Sequence, residues 1–182
     1  MSETVAVALI TGGFTLVSGI IAVALTHRYS KAQADATRRE DRRRDARALI
    51  ASLVEAGTQW ASMNETLVPS YYKAATDKAF WLEWPDTDSG KALREHALTI
   101  GRTAGELRLI LSDDVLLDRI SAAQALMTDG SAMQALLDEG RRTNGGTWEG
   151  DVMVNAFAYH RRVGNAFRAV ESRAAELLRG TL

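Results

Sequence analysis

Residues 5–25 read VAVALITGGFTLVSGIIAVAL, twenty-one positions without a charge. At about 1.5 Å rise per residue such a helix is roughly 31 Å long, the hydrocarbon thickness of a bilayer. Inside lipid each backbone donor and acceptor must be paired within the segment, which a helix achieves. Gly12, Gly13 and Gly19 weaken a helix in water but are common in spanning helices. The run therefore predicts a transmembrane helix over 5–25, preceded by a short tail at 1–4. A core helix of a soluble protein is the plainer alternative, but one this long and free of charge is unusual. A cleaved secretory signal is the sharper rival, because Ala22-Val23-Ala24 offers a small-x-small site. Against it, Met1-Ser2-Glu3-Thr4 carries no positive side chain, and the run exceeds the roughly 7–15 residues of a signal core.

Charge asymmetry sets the expected orientation. Only Glu3 and the α-amino group precede the run, whereas residues 26–47 hold eight Arg or Lys against four acids. Basic flanks are retained on the cytoplasmic side. The expected placement is the inner membrane of a bacterium, single-pass, with the N-terminus outside and the C-terminal body in the cytoplasm. Thr11, Thr15 and Gly19 recur every four residues, a weak signal for close approach of two such helices, and this segment has no G-x-x-x-G.

Residues 26–45, THRYSKAQADATRREDRRRD, hold neither Pro nor Gly and many strong helix formers. Asp35 precedes Arg38 and Arg39 by three and four residues, and Glu40 precedes Arg44 by four, the favourable order on a helix. No large apolar side chain stands between Tyr29 and Leu49, so a heptad seam is absent. The segment predicts a charged juxtamembrane helical arm, a solvated spacer whose Arg28, Lys31, Arg38, Arg39, Arg42 and Arg43 are candidates for contact with anionic lipid headgroups. Nucleic acid is a poor fit: Glu40, Asp41 and Asp45 interrupt the basic run, no aromatic is interleaved, and residues 48–182 carry a net charge of −4.

The 157 residues beyond the run suffice for one domain with its own core. The chain has no cysteine, which excludes a disulfide scaffold, thiolate zinc sites and thiol catalysis. From residue 46 the pattern becomes amphipathic helix. Ala46, Leu49, Ile50, Leu53, Val54, Gly57, Trp60 and Met63 follow i, i+3, i+4 spacing, with an expected stop before Pro69. Further helices are expected over about 91–111, with Leu93, Ala97, Ile100, Ala104, Leu107 and Leu111 on one face, and over about 113–128 behind a Ser112 cap, with Val115, Leu116, Ile120, Ala123, Leu126 and Met127. A short helix is expected over 131–139, and a long one from an Asp151 cap onward, with Met153, Phe157, Val163, Phe167, Val170, Ala174 and Leu177 as its apolar stripe. Turn or loop signals stand at 85–90 (PDTDSG) and 141–150 (RRTNGGTWEG). No alternating strand pattern appears. The predicted fold class is all-α, with residues 46–182 forming a small, mainly antiparallel helical bundle.

Chemistry-bearing motifs are few. His96 and His160 have no second His at i+3 or i+4, so zinc-helix spacing is absent. A metal site or proton shuttle would need them to meet across the bundle with Glu95 or other acids, as a membrane-tethered enzyme. Asp113, Asp114 and Asp118 are explained by capping and a solvated helix face. Gly145-Gly146 lacks the Lys-Ser/Thr of a phosphate loop, and no G-x-S-x-G occurs. Asn64-Glu65-Thr66 fits a glycosylation acceptor but is silent in a cytoplasmic body. No catalytic residue, cofactor or metal is expected. The most suggestive patch is aromatic, with Tyr71, Tyr72, Trp81 and Trp84 beside Phe80. Most of it is expected in the core or as a lid on the bundle, and an exposed remainder would serve as a partner site.

The anchor running into THRYSKAQADATRREDRRRDARALIASLVEAG, followed by a bundle containing LRLILSDDVLLDRISAAQAL, resembles small single-pass membrane proteins of actinobacteria and their phages or prophages. The resemblance covers the layout of most of the chain. It implies that architecture and no catalytic residues, with a phage-related role, envelope modification or phage exclusion, as a subsidiary implication. The chain's own features are read as those of an anchored scaffold, regulator or interaction module. The expected partners are membrane lipid and either another protein or a second copy. A secreted helical protein after signal cleavage is the remaining alternative.

Overall fold

The computed structural model describes residues 3–147 and 150–179, and within them all side chains except those of residues 3–28, 32, 39, 178 and 179. It is all-α, and no strand occurs among the described residues. Six α-helices follow in order: α1 (Glu3–Lys73), α2 (Lys78–Glu83), α3 (Asp88–Ile110), α4 (Asp114–Thr128), α5 (Ser131–Arg142) and α6 (Val152–Arg179), with a single 3₁₀ turn over Trp84–Asp86 between α2 and α3. The chain divides into two compact units, Met1–Arg44 and Asp45–Leu182.

In the first unit, the described side chains from Tyr29 to Arg44 are exposed apart from a half-exposed Asp35. The acid-first spacing brings Arg38 to 3.9 Å from Asp35, a loose surface pair. Among the described residues no helix is long and apolar enough to cross a membrane. The expected span, 5–25, lies outside the residues whose side chains are described.

The second unit is a helical bundle with two apolar clusters. The larger joins Ile50, Leu53 and Val54 of α1, Ile100, Ala104 and Leu107 of α3, Leu116 and Ile120 of α4, and Val163, Phe167 and Val170 of α6. The smaller joins Val68, Tyr71 and Tyr72 to Leu136 of α5 and to Met153 and Ala156 of α6. The 3.6-residue periodicity dictates these faces: the expected inward residues of α3 and α6 are mostly buried, whereas Val115 at the start of α4 is about half exposed. Polar links bind the helices further. Arg119 Nη1 donates to the Ala169 carbonyl at 2.9 Å. The Tyr159 hydroxyl donates to the carbonyls of Leu126 and Met127 at 3.1 and 2.9 Å.

Three boundaries differ from the sequence reading for physical reasons. Helix α1 does not stop before Pro69 but runs through it to Lys73. Proline removes one backbone donor, yet Val68, Tyr71 and Tyr72 on both sides of it are buried, and that burial outweighs the lost bond. The cap of α4 is Asp113, not Ser112, because the Asp113 carboxylate accepts from Leu116 N at 2.7 Å. The loop expected at 85–90 is mostly taken up: Thr87 caps α3 by accepting from Gly90 N at 3.0 Å. Gly90 sits so close to the Trp84 carbonyl that a Cβ there would collide with it. At the end of α5, Asn144 and Gly145 adopt left-handed φ of 52° and 68°. Gly145 N donates back to the Gly140 carbonyl at 2.8 Å, the closure of a Schellman-type cap.

Candidate interaction face

The aromatic segment is placed by two short structural devices. Asp77 caps α2 by accepting from Phe80 N at 3.0 Å, and Trp81 Nε1 donates to the Ala74 carbonyl at 2.8 Å. Together they fold α2 back over the end of α1. The Tyr71 ring then stacks on Trp81 at 5.8 Å and meets Trp84 edge-on at 5.4 Å. Phe80 contacts both tryptophans at 5.1 and 5.3 Å. The set is a lid on the smaller apolar cluster.

Within it, the four candidate partner residues separate. Tyr71 and Tyr72 are buried, which removes them from any exposed patch. The Tyr71 hydroxyl donates to Asn64 Oδ1 at 3.2 Å, and burial pushes its pKa up to about 12. The Tyr72 hydroxyl bonds Thr143 Oγ1 at 2.7 Å, which fastens the end of α5 to α1. Trp81 and Trp84 stay half exposed. Trp81 forms one wall of an open groove of about 610 Å³, with Ala75, Thr76, Lys78, Leu82 and Arg141. Leu82 is 78% exposed there, and Arg141 is paired with Asp138 at 2.8 Å. Sequence reasoning missed Leu82 and Arg141, because the groove draws its lining from the turn after α1, from α2 and from the end of α5, which are far apart in sequence. The glycosylation-type Asn64 is buried, and its Nδ2 donates to the Trp60 carbonyl at 2.9 Å.

On the arm, Lys31, Arg38, Arg42 and Arg43 are exposed, while the side chains of Arg28 and Arg39 lie outside the described residues. Lys31, Arg38 and Arg42 stand at i, i+7 and i+11, which places them in one column of the helix.

The histidines take different environments. His96 on α3 is half buried. His160 on α6 is 1% exposed, against the rings of Trp60 at 5.8 Å and Tyr159 at 4.8 Å. Its Nε2 lies 3.2 Å from Met133 Sδ, and its Nδ1 has no hydrogen-bond partner among the described residues. Burial lowers its pKa to about 4, opposed weakly by the Glu65 carboxylate. That carboxylate is itself paired with Arg161 at 2.7 Å. Among the described residues no group of three His, Asp or Glu is arranged to hold a metal ion. His160 is thus a neutral member of an aromatic and thioether shell.

Compared with known proteins, the chain matches no family model, no curated protein and no solved structure.

Proposed function

We propose that this chain is a single-pass membrane protein whose helical body works as an interaction module, binding another protein rather than transforming a substrate. The carrying observation is the uncharged run at 5–25 followed at once by a segment of net charge +4. Its length suits a bilayer core and its basic flank suits retention on the cytoplasmic side. The column of Lys31, Arg38 and Arg42 supports contact with anionic headgroups, since each basic residue near such a surface contributes about 1 kcal/mol. The half-exposed Trp81 in the open groove supports a protein-binding role for the body, because tryptophan is enriched among the residues that dominate interfaces.

The test is topology in the native membrane. With a C-terminal epitope, the body is expected to resist protease in intact spheroplasts and to be digested after lysis. Digestion in intact spheroplasts would overturn the orientation. Affinity purification in mild detergent then tests the interaction role: Leu82→Asp is expected to lose a protein that co-purifies with the unmodified chain. An identical set of co-purifying proteins from both would remove the groove from the proposal.

A further inference from the structure

We propose that His160 Nε2 and Met133 Sδ form a binding site for one soft univalent metal ion, copper(I), held between α5 and α6. The proposal depends neither on the membrane anchor nor on the groove beside Trp81.

Met133 lies on α5 and His160 on α6, and their donor atoms stand 3.2 Å apart. A neutral imidazole carries one N–H and one free lone pair. With the proton on Nδ1, that N–H is buried without an acceptor among the described residues, and the Nε2 lone pair faces the sulfur of a thioether. With the proton on Nε2, the ring makes one weak N–H···S bond, and the Nδ1 lone pair is buried without a donor. Either form forgoes a hydrogen bond, at a cost of about 1–3 kcal/mol. An apolar side chain avoids that cost, so packing alone gives no reason for histidine here. A cation between Nε2 and Sδ turns the two opposed lone pairs of the first form into ligands.

The donor set selects the ion. One imidazole and one thioether bring no negative charge, and thioether sulfur suits copper(I) rather than magnesium or calcium. The chain has no cysteine to bind such an ion more tightly. Burial keeps the ring neutral, with its lone pair available, down to about pH 4. The Glu65 carboxylate on α1 acts on the ring and favours positive charge there, although Arg161 shares it at 2.7 Å. Trp60, its ring centroid 5.8 Å from that of His160, sets an indole beside the site, and cation–π attraction operates over about 6 Å. His160 is 1% exposed and Met133 only partly buried, so the thioether is the entry side. Bonds of about 2.0 Å to nitrogen and 2.3 Å to sulfur, opened to a trigonal angle, set the donors about 3.7 Å apart. The three rotatable bonds of methionine supply the remaining shift of about 0.5 Å.

Silver(I) is the probe, because it shares the ligand preference of copper(I) and keeps one oxidation state in air. The full-length chain in mild detergent and chloride-free buffer is titrated with silver nitrate by calorimetry, and its methionine methyl groups are followed by NMR. One equivalent is expected to bind and to move one signal among the five methionines, the signal missing from Met133→Leu. Met133→Leu conserves volume. It and His160→Asn are each expected to keep the helical circular dichroism and to weaken binding by at least about tenfold, the least that loss of a ligand should cost. His96→Gln is expected to change nothing, and zinc(II) is expected not to compete. Absence of saturable binding, equal affinity in Met133→Leu, or movement of other methyl signals in place of that of Met133 would overturn the site. Competition by zinc(II) would overturn the assignment to a soft ion. The methyl spectrum of the unmodified chain decides the case even if a variant fails to fold.

Discussion

Gly57 on α1 gives its place to the ring of Phe167 on α6: a Cβ built on Gly57 would overlap the ring carbons of a fully buried side chain. The two helices approach as closely as they do because residue 57 has no side chain. Gly57→Ala is expected to destabilise the body by about 1–3 kcal/mol, the usual cost of overpacking a filled core, read as a lower denaturation midpoint in chemical unfolding.

The glycines of α3 should behave in the opposite way. Open space surrounds both positions, so Gly101→Ala and Gly105→Ala are each expected to raise stability by up to about 1 kcal/mol through helix propensity alone. Thermal unfolding of the two variants beside Gly57→Ala separates a glycine required by packing from glycines that are not.

His160 makes stability depend on pH in a defined window. Its folded pKa of about 4 lies below the ordinary 6.5, so the unfolded chain takes up a proton before the folded chain does. Stability from this group is complete above about pH 6.5, falls as pH drops toward 4, and levels off below that. The full loss is on the order of 3 kcal/mol. His160→Leu, which also removes the unpartnered Nδ1, is expected to flatten the slope between pH 6.5 and 4 in denaturant titrations. An unchanged slope would place the titrating group elsewhere.

Asp113 acts in a lower window. Hydrogen bonds from Arg173 first, and then from Leu116 N, hold its pKa below the usual carboxylate range. Its Oδ2 lies 3.0 Å from Arg173 Nη2. A depressed carboxylate pKa contributes stability above the unfolded value near 4, and that contribution is lost as pH falls through the folded value. Asp113→Ala is expected to lower the melting temperature at neutral pH. Asp113→Asn should lower it less, because the amide oxygen still caps α4.

Periodicity made the helices legible. Leu93, Ile100, Ala104 and Leu107 mark α3 from the sequence, and the helix is found within a few residues of the expected range. Local rules failed where distant contacts override them. Pro69 reads as a stop until Tyr72 is seen bonded to Thr143, 71 residues away. Ser112 and Asp113 are equally good caps until Arg173, 60 residues on, engages Asp113. For the candidate site, the sequence assembled the aromatic set and its role as core or lid, but not which members stay partly exposed. The stacking of Tyr71 under Trp81 depends on how α2 folds back, and no spacing rule carries that.

The most direct measurement is extraction of the full-length chain from isolated membranes. A spanning helix at 5–25 is expected to keep the chain in the pellet through high salt and alkaline carbonate and to release it only with detergent. Replacing Leu16 and Val17 with Arg should abolish this retention, since each charge at the centre of a span costs about 2.5–3.5 kcal/mol on insertion scales. Release of the unmodified chain by salt or carbonate alone, or a mature N-terminus at Leu25, would contradict the anchor and with it the proposed function.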